Sequence, residues 1–142
     1  AASSQTKIRI AGSICLYNPI TRMVLLGRRL TEPWRGYWAF PGGNAEDGET
    51  ALEGARRELT EETGIKAPDR EPYSTRTVYV ASSVNNKFYK VTNYQFLTLE
   101  CPAPVLSEEL EGRWLGFEDA VKLKPMAAGT RRILAHVLEV FG

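Results

Sequence analysis

A helix over residues 51–63 is the strongest constraint in this chain, because it is signalled chemically at both ends. Thr50 is a good N-cap, and Glu53 at the third helical position completes a capping box. Gly64 stands where a left-handed residue closes the last turn, and Ile65 supplies the apolar contact that accompanies such a stop. What flanks the helix reads differently. The runs 7–16 (KIRIAGSICL) and 22–30 (RMVLLGRRL), separated by the turn chemistry of Asn18-Pro19, read as a strand and its hairpin partner. A short apolar piece over 37–40 sits among Pro33, Gly36, Pro41, Gly42 and Gly43. Beyond the helix, 73–80 and 87–99 are β-rich, with alternation clearest over 94–99. A proline-containing loop over 101–110 leads to a short strand at 113–117. The chain closes on a helix over 130–140, where Ile133, Leu134, Val137, Leu138 and Phe141 recur at helical spacing. Strands, helix, strands, helix imply an α+β fold, a mixed sheet sandwiched with helices. No linker or repeat interrupts the chain, so residues 1–142 are expected to form one domain.

Charge narrows the function. Net charge is +1, yet between Glu46 and Glu62 seven carboxylates face two arginines. No basic stripe appears, so a nucleic-acid partner is not expected. Apolar runs are far shorter than the roughly 20 residues of a spanning helix. The opening AASSQTK lacks an apolar signal core, so a cytoplasmic location and no membrane association are expected. Cys15 and Cys101 each lie in an apolar, strand-like run without Cys-x-x-Cys spacing, which reads as two buried reduced thiols. A single histidine, His136, excludes a multi-histidine metal site and suits a packing or surface role.

The acids of the helix carry the chemistry. At about 100° per residue, Leu52, Ala55 and Leu59 share the face that must meet a core. Glu58, Glu61 and Glu62 stand at i, i+3 and i+4 on another face, with only Gly54 and Ala51 on the preceding turns. Like charges so spaced repel, and acids in a last turn oppose the helix dipole, each by a few tenths of a kcal/mol. A divalent cation reverses both effects, and carboxylates without imidazole or thiolate point to Mg²⁺, with Mn²⁺ as a substitute. Spacing alone leaves a solvated acidic face equally open. The preceding loop, GNAEDGET over 43–50, approaches a P-loop, but Glu49 stands where the lysine should meet phosphate. An EF-hand fails as well, since Gly43 and Ala45 replace its first two oxygen ligands.

Read as one string, residues 43–65 (GNAEDGETALEGARRELTEETGI) resemble the Nudix box, G-x5-E-x7-R-E-U-x-E-E-x-G-U with U aliphatic. Gly43, Glu49, Arg57, Glu58, Leu59, Glu61, Glu62, Gly64 and Ile65 meet every fixed position. Chance would supply such a match less than about once in a hundred million starting points. The resemblance implies an α/β/α sandwich with the box as a loop–helix–loop, and Mg-dependent attack of water at phosphorus in a nucleoside diphosphate linked to another moiety. It implies that Glu61 and Glu62 ligate Mg²⁺ with a backbone carbonyl of Gly43 or Gly42. Glu58 would ligate a metal or handle the attacking water. Arg57, projecting away from the carboxylate face, would pair with Glu49 and fix the loop to the helix. Some members of the family take a general base from a late loop, where Glu108, Glu109 and Glu111 stand here, and solvated loop charges explain those three equally well. Family members are often homodimers, although nothing in the sequence specifies an interface.

Arg28 and Arg29 end the second strand and could meet phosphate, and alternation points one of them, Arg29 by preference, at the site. Among Trp34, Tyr37, Trp38 and Phe40, core packing suits Trp38 and Phe40, while Trp34 beside Pro33 is the expected exposed aromatic, able to stack on a base. The segment PWRGYWAFPGG resembles the GDP-mannose hydrolases of the family. That subgroup departs from the box in its acidic pair, whereas Glu61 and Glu62 are both kept here, which favours attack at phosphorus over attack at the sugar carbon. Nucleoside triphosphates, ADP-ribose-like compounds and nucleotide sugars remain open as small-molecule substrates. The short chain mildly favours the triphosphate type. A non-catalytic nucleotide sensor would be preferred if box acids were missing. An RNA 5′-end pyrophosphohydrolase would want a basic surface.

Overall fold

The computed structural model describes residues 7–82 and 85–142. Seven strands make one mixed sheet: β1 (Ile8–Asn18), β2 (Met23–Arg29), β3 (Trp38–Ala39), β4 (Gly42–Asn44), β5 (Ser74–Ser82), β6 (Lys87–Leu97) and β7 (Leu110–Gly116). The helices are α1 (Ala51–Thr63), α2 (Phe117–Ala120) and α3 (Thr130–Phe141). Two elements escape the sequence patterns. Strand β4 is Gly-Gly-Asn, which has no side-chain alternation and exists only through its pairing with β1. Helix α2, with four residues, is too short to show a helical period.

Strand β1 organises the sheet. Along one edge it runs parallel to β6, from Ile8↔Phe88 to Tyr17↔Leu97. Its other edge is shared. The first part pairs with β4 through Ala11↔Asn44, Gly12↔Gly43 and Ser13↔Gly42, and only the end pairs with β2 through Tyr17↔Val24 and Asn18↔Met23. The expected hairpin is therefore closed at its turn alone. With β4 on that edge, β2 diverges and pairs along its length with β7, from Met23↔Gly116 to Arg29↔Leu110.

Alternation then builds two cores. Ile14 and Leu16 of β1 join Leu25 and Phe96 against Ala55 and Leu59 of α1. Cys15 and Tyr17 face the other way, with Val78, Val80 and the Ile133, Leu134 and Val137 stripe of α3. Each fully buried aliphatic chain contributes about 1.5–3 kcal/mol, so both helices are held by burial more than by propensity. The result is the expected α/β/α layering. Helix α1 has both expected caps: Thr50 accepts from the Glu53 amide, Glu53 accepts from the Thr50 amide, and Gly64 takes φ 75°.

The cysteines divide. Cys15 is buried in β1, where burial pushes its thiol well above the usual range. Cys101 departs from the strand expected of it, because β6 ends at Leu97; it is half-buried in the following loop, its Sγ accepting from Asn18 Nδ2 at 3.5 Å. Both are free thiols. His136 is half-buried on α3. No helix among the described residues is long and apolar enough to cross a membrane.

Candidate active site

Strand β4 places the start of the box on the edge of β1, and α1 packs back over it. The approach is so close that side chains are excluded. A Cβ on Gly42 would lie 2.3 Å from the Gly12 carbonyl oxygen, and one on Gly43 would lie 2.9 Å from the carboxyl carbon of Glu58. Into this corner α1 delivers Glu62, only 4% exposed, whose Oε1 accepts the Gly42 amide hydrogen at 2.9 Å. Burial raises its carboxyl pKa to about 8, against the Gly42 hydrogen bond, with repulsion from Glu58 and Glu109 adding to the rise and Arg29 opposing it. Burial likewise raises Glu58, although Arg57 works to lower it. Glu109 arrives from the loop before β7, and one carboxylate oxygen from each of Glu58, Glu62 and Glu109 lies within 4.8 Å of the others.

Glu61 is not part of that group. The sequence suggested that three acids converge, but a helix spreads them. Glu62 stands about 40° to one side of Glu58 and Glu61 about 60° to the other. One edge of the sector meets β4 and the other meets solvent, so the Glu61 side chain is 57% exposed. Arg57 also differs from expectation. Its guanidinium grips Glu49 with two hydrogen bonds, Nε–Oε2 at 2.8 Å and Nη2–Oε1 at 3.0 Å. That pairing holds the Glu49 carboxyl down to about 2. Instead of projecting away from the acids, however, Arg57 turns back so that Nη1 reaches Glu58 at 2.9 Å and Glu61 at 3.2 Å. A five-donor fork on a long stem can serve loop and helix together. Hydrogen bonding to Glu49, then to Glu58, raises its pKa further.

Of the three late-loop acids, Glu109 alone joins the cluster. Glu108 is exposed, and Glu111 lies within β7, 3.5 Å from both Arg28 and Arg113. Arg28 is thereby turned to Glu111, whereas Arg29 lines a pocket and donates to the Pro33 carbonyl at 2.8 Å. Trp34 lines the same pocket, half-buried with its ring edge-on to Tyr37 at 5.2 Å, so the loop covers it more than expected. Phe40 is buried and Trp38 packs half-buried against the α3-side core, as core residues should.

The pocket measures about 240 Å³. Its lining joins Gly42 and Gly43, which touch Glu62 and Glu58, with Arg29 and an apolar wall that includes Val78, Val80 and Ile133. Sequence reasoning missed that wall and one polar lining residue, Ser13. Their signal was only that of ordinary core and strand positions.

This arrangement can be set beside known proteins. A NUDIX domain model matches residues 7–137. The Nudix hydrolase YvcI of Bacillus subtilis, itself uncharacterized, is 30% identical over 112 residues, 78% of this chain and 70% of its own length. An ADP-ribose pyrophosphatase of Methanocaldococcus jannaschii is 40% identical over 60 residues, 34% of this chain. The match spans only 36% of that archaeal relative. The NUDIX domain of Shewanella oneidensis NrtR, solved in complex with ADP ribose, superposes with a TM-score of 0.78 at 19% identity, covering 98% of this chain and 92% of that domain. With a family model spanning nearly every described residue and a box complete at each fixed position, the chain belongs to the Nudix family.

Proposed function

We propose that this protein is a divalent-cation-dependent pyrophosphohydrolase acting on a nucleoside diphosphate linked to another moiety. One observation carries the reading: a buried carboxylate, Glu62, stands with Glu58 and Glu109 within 4.8 Å, against Gly42 and Gly43, which line the pocket together with Arg29. The donor set fits a hard cation. It is all oxygen, and an ionised Glu62 has one backbone hydrogen bond to offset its desolvation. Glu58 and Glu62 would hold Mg²⁺, with Mn²⁺ able to replace it, and Gly43 lies directly against Glu58. When bound, the ion would neutralise phosphate oxygens and lower the pKa of water.

The chain's own groups do the rest. Arg57, anchored on Glu49, fixes the Glu58 carboxylate, the kind of support whose loss costs about 10–100-fold in affinity or activity. Glu61, held at the same guanidinium, would add a further carboxylate to the ion from the outer edge. Arg29, on the pocket rim, meets phosphate oxygens, and Trp34 offers an aromatic face to the base. We assign the proton of the attacking water to Glu109, the most exposed of the three clustered acids. The water oxygen forms its bond to phosphorus, the bridging P–O bond breaks, and its electron pair leaves with the departing phosphate.

The ADP-ribose bound by the NrtR domain and the pyrophosphatase name of the archaeal relative support a substrate of this class. A panel of nucleoside triphosphates, ADP-ribose and nucleotide sugars, assayed with Mg²⁺ for nucleoside monophosphate and phosphate release, tests the proposal. Turnover by the parent and none by Glu62→Gln is expected. A parent that binds nucleotides without turning any over would make it a sensor instead.

A further inference from the structure

A chain of hydrogen bonds runs through the core on the α3 side, and its direction is fixed. Gln95 Nε2 donates to the Asn93 backbone carbonyl at 3.0 Å, so that end of the amide must be nitrogen. The same nitrogen lies 2.6 Å from Asn93 Oδ1, which must therefore accept. The other end of the Asn93 side chain is then nitrogen, and it donates to Ser13 Oγ at 2.9 Å. At the far end, Gln95 Oε1 takes the hydroxyl hydrogen of Ser74. Asn93 and Gln95 are fully buried, which leaves water no part in choosing these directions. A donor series that begins at Ser74 thus ends on Ser13, whose oxygen accepts. Its own hydrogen finds no acceptor among the described residues.

Ser13 lines the pocket. It shares the sheet face of Ala11, Val78, Val80 and Val91, and it is 7% exposed. The pocket residues able to meet charge are Arg29 and the glycines beside the acids, and among the described residues Arg29 is the only charged side chain in the lining. A neutral donor set among apolar side chains suits a neutral acceptor, since a phosphate oxygen taken to that depth would lose its hydration without a cation.

We infer that Ser13 determines base specificity: its hydroxyl donates to a ring carbonyl of the nucleobase and disfavours bases that present an amino group at that place. This rests on the nucleotide reading of the pocket and deepens it. An amino group opposite Ser13 would set donor against donor, and turning the hydroxyl to accept it on the lone pair that Asn93 leaves over would strand the Ser13 hydrogen without an acceptor among the described residues. Sites that bond a specific polar group discriminate far better than apolar pockets do.

Calorimetric binding of two matched pairs, inosine against adenosine monophosphate and uridine against cytidine monophosphate, tests this in the presence of Mg²⁺. The parent should bind the carbonyl member of at least one pair about tenfold tighter. Ser13→Ala should bring that ratio to within about twofold. Ser13→Cys, which leaves no void but donates weakly, should do the same and guards against a folding defect in the smaller variant. The inference is overturned if the parent shows no carbonyl preference, if the preference survives in cooperatively melting variants, or if both members of each pair weaken equally. Base preference without hydrolysis of any nucleotide would overturn the pyrophosphatase reading and leave the role of Ser13 standing. No nucleotide binding at all would overturn both.

Discussion

Replacing Glu62 by Gln should stabilise the metal-free protein and at the same time remove its response to Mg²⁺. Burial holds the Glu62 carboxyl near 8 when folded, against an ordinary 4.5. The folded state therefore binds an extra proton between those values, so stability is full below about 4.5 and is lost as pH rises towards 8. The slope is at most about 1.4 kcal/mol per pH unit, which amounts to about 3 kcal/mol by pH 7. Gln keeps an oxygen for the Gly42 amide and has no charge to bury. In chelator, the melting temperature of the parent should fall relative to the variant from pH 5 to pH 8, by on the order of 10 °C. Mg²⁺ should reverse the order, because an ion bound at Glu62 displaces that proton and stabilises the folded state by mass action. Circular dichroism melts at four or five pH values, with and without Mg²⁺, measure both effects. Parallel melting curves in chelator, or equal Mg²⁺ shifts in parent and variant, would refute the reasoning.

Other consequences follow from the same geometry. Glu109→Gln should lower kcat by about 10²–10⁴-fold with Mn²⁺ affinity little changed, while Glu108→Gln stays near parental activity in the same steady-state assay. Arg57→Ala should cost about 10–100-fold in kcat/KM, and Arg57→Lys should not restore it, since an ammonium cannot reproduce the two-pronged grip on Glu49. Gly43→Ala should leave a cooperative melt but sharply reduce activity, because its methyl would fall 2.9 Å from the Glu58 carboxyl carbon. Trp34→Ala should raise KM about 5-fold or more with little change in kcat if its ring stacks on the base.

The parts legible in the sequence are those fixed by local chemistry. Helix α1 announces itself through Thr50, Glu53 and Gly64 because caps are made by neighbours in sequence. That β1 is a strand follows from its mostly apolar run, and the α3 stripe follows from helical spacing. What depends on tertiary approach stays hidden. Glu108, Glu109 and Glu111 look equivalent in a loop, and only the register of β7 turns Glu111 to Arg28 and leaves Glu109 with the box. The divergence of Glu61 from Glu62 reflects which edge of one helical sector meets β4. Asn93 and Gln95 carry no sign of burial, and Asn93 meets Ser13 across 80 residues of chain through the parallel pairing of β1 with β6.

Where the ion sits decides the proposed chemistry most directly. Crystals soaked in Mn²⁺ with a non-hydrolysable diphosphate analogue would locate it by anomalous scattering. A peak about 2.1 Å from carboxylate oxygens of both Glu58 and Glu62, facing the analogue, is the predicted result. An ordered analogue in the pocket with no metal peak between those two side chains would contradict it.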